Sequence, residues 1–571
     1  MDRRIRHIAL LLTLLLLAIA MRSGWVQGIR AEEIATYEPP GKVNPEVRTR
    51  NQFRIFQECR WERGDILSAD GQVLAETVPA EAGRRCQYER RYPQGELVPH
   101  IVGQWSLHFG KTGLEAAYNK ELVGEPAPPE TLAEFFSERP RIGNNLVSTL
   151  DTRLQAAALS ALGGRRGGVV ALNPATGAVL AAASNPTYNP DPLASNDRSA
   201  AVRARCALGL GVRLTESGQV VRDAEGQPVP CENPKAPLVS VALQGRRPPG
   251  SSFKVVTAAA ALESGKYKPT RPSLPVRGAY TAPRDTRAIG NFGGGSCGGN
   301  LTAALTVSCN TAFAEIAVDV GADQLLKTAH AMGLDRGGQA SLRGCESEPS
   351  SDIAETRTGC LPSELVERDS SGKAKRQEKL STAGFRARAG FGQWVLQVSP
   401  FGMATVAATI ANGGFVPQPR FGEKIIDRTG RTVRDIRTAL GPQAMSSSSA
   451  EAVGGMMRSV VTSGTAARAF SGFPIPVAGK TGTAQQPSCA KDEQAIFGRN
   501  CGRLPHAWFI AYAPVKDPAI AIAVLVERGG GNNEEATGGQ VAAPIARKVL
   551  EACFGLPGTP CADAIAREPG R

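Results

Sequence analysis

Pro248-Pro249-Gly250-Ser251-Ser252-Phe253-Lys254 breaks the chain and then restarts it. Two prolines and a glycine interrupt regular structure. The run Val255 to Leu262 that follows is small and apolar, with Ala258 to Ala261 consecutive. This pattern predicts a helix that begins near Ser251 and is buried almost all round, so other elements must wrap it. Positions three apart share a helix face, so the Ser251 hydroxyl and the Lys254 amine can meet. A lysine in so apolar a helix is costly unless it is paired or neutral. A serine beside a neutral amine is an activated nucleophile. Ser-x-x-Lys is weak evidence alone, because Ser370 to Lys373 in a charged stretch and Ser488 to Lys491 in a polar loop repeat it.

The compartment is read from the first residues. Arg3, Arg4 and Arg6 precede Ile8 to Met21, which is apolar except for Thr13. Positive charge before an apolar run holds the N-terminus inside and sends the remainder across. We read the run as an uncleaved anchor, which can extend to Trp25 and Val26 if Arg22 snorkels. The rival is a signal peptide cleaved near Ala18-Ile19-Ala20; both readings export the rest. Twelve cysteines with no Cys-x-x-Cys agree with export. Their sequential neighbours suit local staples: Cys59/Cys86, Cys206/Cys231, Cys297/Cys309, Cys345/Cys360, Cys489/Cys501 and Cys553/Cys561. The five histidines are scattered, so no metal is expected. A net charge of +13 suits a membrane surface or an anionic wall polymer, and equally an arginine-rich proteome with no functional meaning. Without zinc-finger spacing or a basic heptad region, no nucleic-acid partner is expected.

A length of 571 residues predicts two or three units. Residues 1–29 read as cytoplasmic start and anchor, 30–145 as a membrane-proximal module, 146–555 as the main domain and 556–571 as a tail. Asp70-Gly71 between apolar residues predicts a hairpin, as does Asn173-Pro174-x-Thr176-Gly177 between Gly168 and Ala182. Asp151 or Thr152 should cap a helix over Leu154 to Leu162. A helix over Phe401 to Ala411 stops at Asn412-Gly413-Gly414. Val477 to Ala484, Ala507 to Tyr512 and Ile520 to Val526 read as strands. Residues 191–237 and 338–383 look like insertions and carry no functional reading.

Three elements stand in order: Ser251-x-x-Lys254, Ser308-x-Asn310 and Lys480-Thr481-Gly482. The set resembles the penicillin-binding proteins and serine β-lactamases. Singly, Ser308 and Asn310 read as helix caps and Lys480 as a strand-edge charge, and Lys111-Thr112-Gly113 is a second Lys-Thr-Gly out of order. In order, on helix, helix-flanked loop and strand, the set is specific. Arg63-Gly64-Asp65-Ile66, Gly390-x-Gly392-Gln393, Ala411-Asn412-Gly413-Gly414 and the Asn173 turn also look like transpeptidase stretches. The resemblance runs from about residue 55 to residue 552. Only about 115 residues separate anchor from transpeptidase, too few for a glycosyltransferase domain with its linker. The chain therefore resembles a monofunctional class B enzyme, with the short module of the actinobacterial branch.

The resemblance implies an α/β transpeptidase fold: an antiparallel sheet between helices plus a helical subdomain, with a small N-terminal module and an N-terminal transmembrane helix. It implies attack on the D-Ala-D-Ala end of peptidoglycan stem peptides and inhibition by β-lactams. Ser251 would be the nucleophile and Lys254 its base. Ser308 would pass a proton toward the leaving amine, and Asn310 would fix the Lys254 amine and the substrate amide. Lys480, Thr481 and Thr483 would meet the terminal carboxylate, Gly482 would admit the substrate backbone, and the N–H groups of Ser251 and Thr483 would form the oxyanion hole. A Cys297–Cys309 disulfide would tie the loop beside Ser308. No cofactor is implied. The implied partners are the membrane, through the anchor, and a polytopic glycan polymerase, with the catalytic domain on the extracytoplasmic side. The rival readings are a D,D-carboxypeptidase or β-lactamase-type hydrolase, in which water takes the acyl group, and a non-catalytic penicillin-binding sensor or scaffold.

Overall fold

The computed structural model describes residues 58–566, except 82–85, 126–140, 216–218, 234, 394–395, 438–439, 486–503 apart from Gln494, 531–535, and most of 335–380, where only strand backbone is described. Before residue 58 it describes only Leu12, Thr13, Leu15 and Arg22. The bulk of the Ile8 to Met21 run and most of the 338–383 stretch thus lie outside the described residues. Among the described residues, no helix is long and apolar enough to cross a membrane.

Taken in order, β1 (Ile66–Leu67) turns at Asp70-Gly71 into β2 (Val73–Pro79), which pairs with β3 (Tyr88–Arg91). β4 (Asn145–Ser148) leads to α1 (Thr152–Leu162), whose cap is Asp151: its side chain accepts from the N–H groups of Arg153 and Leu154. β5 (Gly167–Leu172) and β6 (Val179–Asn185) form the second hairpin, where Asn173 Oδ1 accepts from the N–H groups of Ala175 and Thr176. α2 (Lys254–Glu263) and α3 (Asn310–Val320) pack together as part of a helical subdomain. α4 (Pro400–Ala411) ends where Gly413 and Gly414 take left-handed φ of 63° and 92°. The remaining order is β7 (Gly422–Ile426), β8 (Thr432–Asp435), α5 (Ser447–Thr462), β9 (Ala478–Ala484), β10 (His506–Ala513), β11 (Ile520–Val526) and α6 (Ala543–Gly555).

Five strands form the central antiparallel sheet in the order β9-β10-β11-β5-β6. Helices α1 and α6 cover one face, and α4 and α5 the other. That explains why β10 and β11 are buried at every residue and read as continuous apolar runs. The hairpin predicted around Asn173-Pro174 supplies one inner strand, β5, and the far edge, β6. The near edge is β9, which carries Lys480-Thr481-Gly482.

A second sheet has the order β8-β7-β4-β1-β2-β3, with β1 and β4 parallel. It crosses the boundary expected near residue 145, because β7 and β8 belong to the downstream stretch. The Arg63-Gly64-Asp65-Ile66 residues hold this seam. Arg63 Nε donates to Glu115 at 2.7 Å, Arg90 Nε reaches the same buried carboxylate at 2.6 Å, and Arg63 Nη1 donates to Asn119 Oδ1 at 2.7 Å. A Cβ on Gly64 would lie 1.8 Å from the Asn144 carbonyl oxygen. From the other side, Arg428 donates to the carbonyls of Gly143 (3.0 Å) and Arg63 (3.2 Å).

Cys59–Cys86, Cys206–Cys231, Cys297–Cys309 and Cys553–Cys561 are bonded as sequential neighbours. The last ties a short helix, Pro560–Ala566, to the end of α6. The side chains of Cys345/Cys360 and Cys489/Cys501 lie outside the described residues.

Candidate active site

Lys254, not Ser251, begins the α-helix. Gly250–Phe253 form a turn of 3-10 helix that leads into α2. Tertiary contacts impose this tight start. Gly250 has φ +54°, and a Cβ there would lie 2.5 Å from the Thr483 carbonyl oxygen. Its N–H donates to the Gly392 carbonyl at 2.8 Å. Gln393 Nε2 donates to the Thr483 carbonyl at 3.2 Å, and Trp508 Nε1, in the core, donates to the Pro248 carbonyl at 2.8 Å. The Gly390-x-Gly392-Gln393 stretch is thus a latch that presses the Ser251 turn onto β9. Half-buried Ser251 lines a cleft of about 610 Å³ together with Ser308, Asn310, Gln393, Thr481 and Thr483.

Behind Ser251 sits a compact polar cluster. Lys254 Nζ donates to the Ser308 carbonyl at 2.6 Å and to Asn310 Oδ1 at 2.7 Å, and lies 3.2 Å from Ser308 Oγ. Lys480 Nζ donates to Ser308 Oγ at 2.9 Å and to the Thr481 carbonyl at 2.9 Å. Both lysines are fully buried. Burial, and then the neighbouring Lys480 cation, hold the Lys254 amine well below the usual lysine range. Burial alone pushes Lys480 down to about 7. A neutral amine has two N–H groups. In that form the two short bonds of Lys254 would use both, leaving its lone pair for a hydroxyl proton.

Ser308 and Asn310 are not spent on capping α3. The cap position is Cys309, which makes no side-chain cap bond, and Asn291 Oδ1 from the preceding loop accepts from the Thr311 N–H instead. Ser308 holds a left-handed φ of 61°, a conformation that costs energy for a non-glycine residue and recurs at functional sites. The Cys297–Cys309 disulfide anchors this loop beside the cleft.

On β9, Lys480 is buried rather than an exposed edge charge. The Thr483 carbonyl faces the Ser251 turn, and in an extended strand a residue's N–H points to the same side as its C=O. The Ser251 N–H lies in the first turn of its helix, where N–H groups lack intrahelical partners. Thr481 Oγ1 lies 2.6 Å from Thr465 Oγ1, and Thr483 Oγ1 accepts from the Gly538 N–H at 3.3 Å. Gly482 has a packing duty that the sequence did not reveal. A Cβ there would lie 2.7 Å from the Pro249 carbonyl oxygen and 3.0 Å from the Ser252 nitrogen, so glycine lets the nucleophile turn sit on the strand.

Of the expected site residues, Ser251, Ser308, Asn310, Thr481 and Thr483 thus line one cleft, Lys254 and Lys480 meet Ser308 behind it, and Gly482 packs against the Ser251 turn. Sequence reasoning missed Gln393, Asn291 and Thr465 as site residues. Gln393 had a signal, its place after two glycines in a recognised stretch. Asn291 and Thr465 had none. Among the described residues, no group of three or more metal-ligating side chains is present.

Comparison with known proteins agrees with this geometry. The family model "Penicillin binding protein transpeptidase domain" matches residues 167–551, and "Penicillin binding protein A dimerisation domain" matches residues 63–146. Peptidoglycan D,D-transpeptidase PbpA of Mycobacterium tuberculosis is 32% identical over 521 residues, covering 88% of this chain and 91% of that protein. Peptidoglycan D,D-transpeptidase MrdA of Escherichia coli is 27% identical over 489 residues, covering 78% and 69%. The M. tuberculosis penicillin-binding protein A, solved as a ceftriaxone acyl-enzyme complex, superposes with a TM-score of 0.68 at 30% identity, covering 87% of this chain and 99% of that one. With the transpeptidase model spanning most of its length and a relative matched nearly end to end, the chain belongs to the penicillin-binding protein transpeptidase family.

Proposed function

We propose that this chain is a peptidoglycan D,D-transpeptidase that is acylated at Ser251 and inhibited by β-lactams. The observation that carries this reading is the Ser308 hydroxyl held between two dehydrated lysines, Lys254 and Lys480, in the cleft that Ser251 lines. The names of the relatives and the acyl-enzyme form of the structural neighbour support it.

The stem peptide lies along the outer edge of β9, where backbone groups can pair with an added strand. Ser251 Oγ attacks the carbonyl of the penultimate D-Ala while its proton passes to the Lys254 lone pair. The N–H groups of Ser251 and Thr483 take the charge that develops on the carbonyl oxygen. The bond to the terminal D-Ala then breaks, and its nitrogen receives a proton through Ser308. Asn310 Oδ1 keeps Lys254 oriented. The third N–H of a protonated Lys480, with the Thr481 and Thr483 hydroxyls, binds the terminal carboxylate, whose charge favours the protonated form. A neighbouring stem's amine next attacks the acyl carbon, its proton leaves by the same base, and Ser251 is released. The Ile8 to Met21 run anchors this chemistry outside the membrane, beside a polytopic glycan polymerase that supplies the strands.

Labelling with a fluorescent penicillin tests the reading. Wild-type protein should hold the label stably, and Ser251→Ala should lose it. Rapid turnover of the adduct would make the protein a hydrolase, and no labelling of folded protein would overturn the site.

A further inference from the structure

A second cavity, of about 230 Å³, lies at the seam between the module and the downstream domain and does not include Ser251. The module contributes the turn from Pro99 to Gln104 and Phe109. The facing wall comes from the helix Arg198–Ala207 and from Leu238, Ser240 and Gln244, in the segment that runs into the Ser251 turn. This gives part of the 191–237 stretch a place in a site.

The groups that face each other here are unusual for a packing void. Arg205 lies with its guanidinium 4.6 Å over the Phe109 ring and, among the described residues, pairs with no carboxylate. Gln104 Oε1 is buried without a hydrogen-bond donor. Gln244 Oε1 accepts from the Ser240 N–H at 3.1 Å, which leaves its amide N–H groups to donate. His100 bonds through Nε2 to the Pro237 carbonyl at 2.7 Å, and burial pushes it down to about 4, so it is neutral near pH 7. Arg205 is then the single charge among the described residues that line the cavity. Leu193, Leu210 and Leu238 supply apolar surface. A buried acceptor with no donor costs free energy, and each such group in a native structure calls for an explanation, a bound donor being one.

We propose that this cavity binds the carboxyl terminus of a short peptide that ends in a small aliphatic residue. Arg205 takes the terminal carboxylate in a charge-assisted pair. The last amide N–H donates to Gln104 Oε1, and Gln244 donates to the preceding carbonyl. The leucines cover the aliphatic side chain. The volume is small beside the ~300–1,000 Å³ of drug-sized sites, which limits the occupant to one or two residues. A bare inorganic anion would satisfy Arg205 but leave Gln104 without a donor.

The test is a calorimetric titration of N-acetyl-L-alanyl-L-alanine and its C-terminal amide into protein whose Ser251 is blocked with penicillin. The acid should bind about tenfold more tightly than the amide. Arg205→Ala should remove that difference. Gln104→Leu should weaken the acid about tenfold while raising the melting temperature of the free protein, because it removes an unsatisfied buried acceptor. A Gln104 that serves only packing would give a lower melting temperature instead. Equal affinities for acid and amide, an unchanged preference in Arg205→Ala, or no binding to the wild type would overturn the proposal. If penicillin does not label the protein, the catalytic reading fails, and the same titration on unlabelled protein still decides the cavity.

Discussion

Two lysines within reach of one hydroxyl set the pH behaviour of the site. Lys254 can act as a base only when neutral, and Lys480 can bind a carboxylate well only when charged. Each is held low by burial, and Lys254 further by the Lys480 cation. The acylation rate should therefore rise with pH as Lys254 loses its proton and fall again as Lys480 loses its own. The sign of a perturbation follows. Lys480→Met removes a positive neighbour, so Lys254 keeps its proton to higher pH. The acid limb of the profile should move up by about one pH unit, roughly a tenfold loss of rate on that limb. Penicillin acylation rates across pH check this, and an unmoved limb would show that Lys254 is not the base. The chemical residues were legible because their order and types carry the chemistry directly. Gln393 and Thr465 act by holding other groups, and nothing in their own identity marks that.

Elements were legible where their determinants are local. Asp151 caps α1, and Gly413 and Gly414 stop α4, as the sequence predicts. The nucleophile helix was read less well, because its 3-10 start depends on Gly392, Gln393 and Thr483, all distant in sequence. Gly482 tests that dependence. Gly482→Ala places a methyl group against the Pro249 carbonyl and the Ser252 nitrogen. Overpacking of this kind costs about 1–3 kcal/mol. Since the displaced group is the Ser251 turn, acylation should slow more than stability alone explains. Melting temperature and acylation rate, measured together, decide it. The Cys297–Cys309 bond acts at the same scale. It fixes the loop that aims Ser308, and in the chain-entropy model a loop of this size contributes about 3 kcal/mol. A protein carrying both Cys297→Ser and Cys309→Ser should melt lower and acylate more slowly. Equal acylation rates would mean that Asn291 and the lysines hold the loop without the bond.

At the scale of the molecule, the sequence suggested a module followed by a catalytic domain, and the pairing of distant strands modifies that picture. No local signal tells β7 to lie beside β4, because register between distant strands is decided by which faces are buried together. The resulting sheet makes the module part of the catalytic domain's own support. Leu146 on β4 and Ile66 on β1 are fully buried in the same core as the central sheet. A chain that begins at Thr149 would keep every residue of the proposed chemistry. It would also leave the β7 edge unpaired and strip Arg428 of its carbonyl partners at Gly143 and Arg63. An exposed strand edge invites association with other chains. The truncated protein should therefore melt lower than the full chain and aggregate as its concentration rises, while whatever fraction stays folded still takes the penicillin label. Light scattering and thermal melting, run beside the labelling assay, separate the two effects. A monomeric truncated protein with the melting temperature of the full chain would mean that the shared sheet joins the two parts without supporting either.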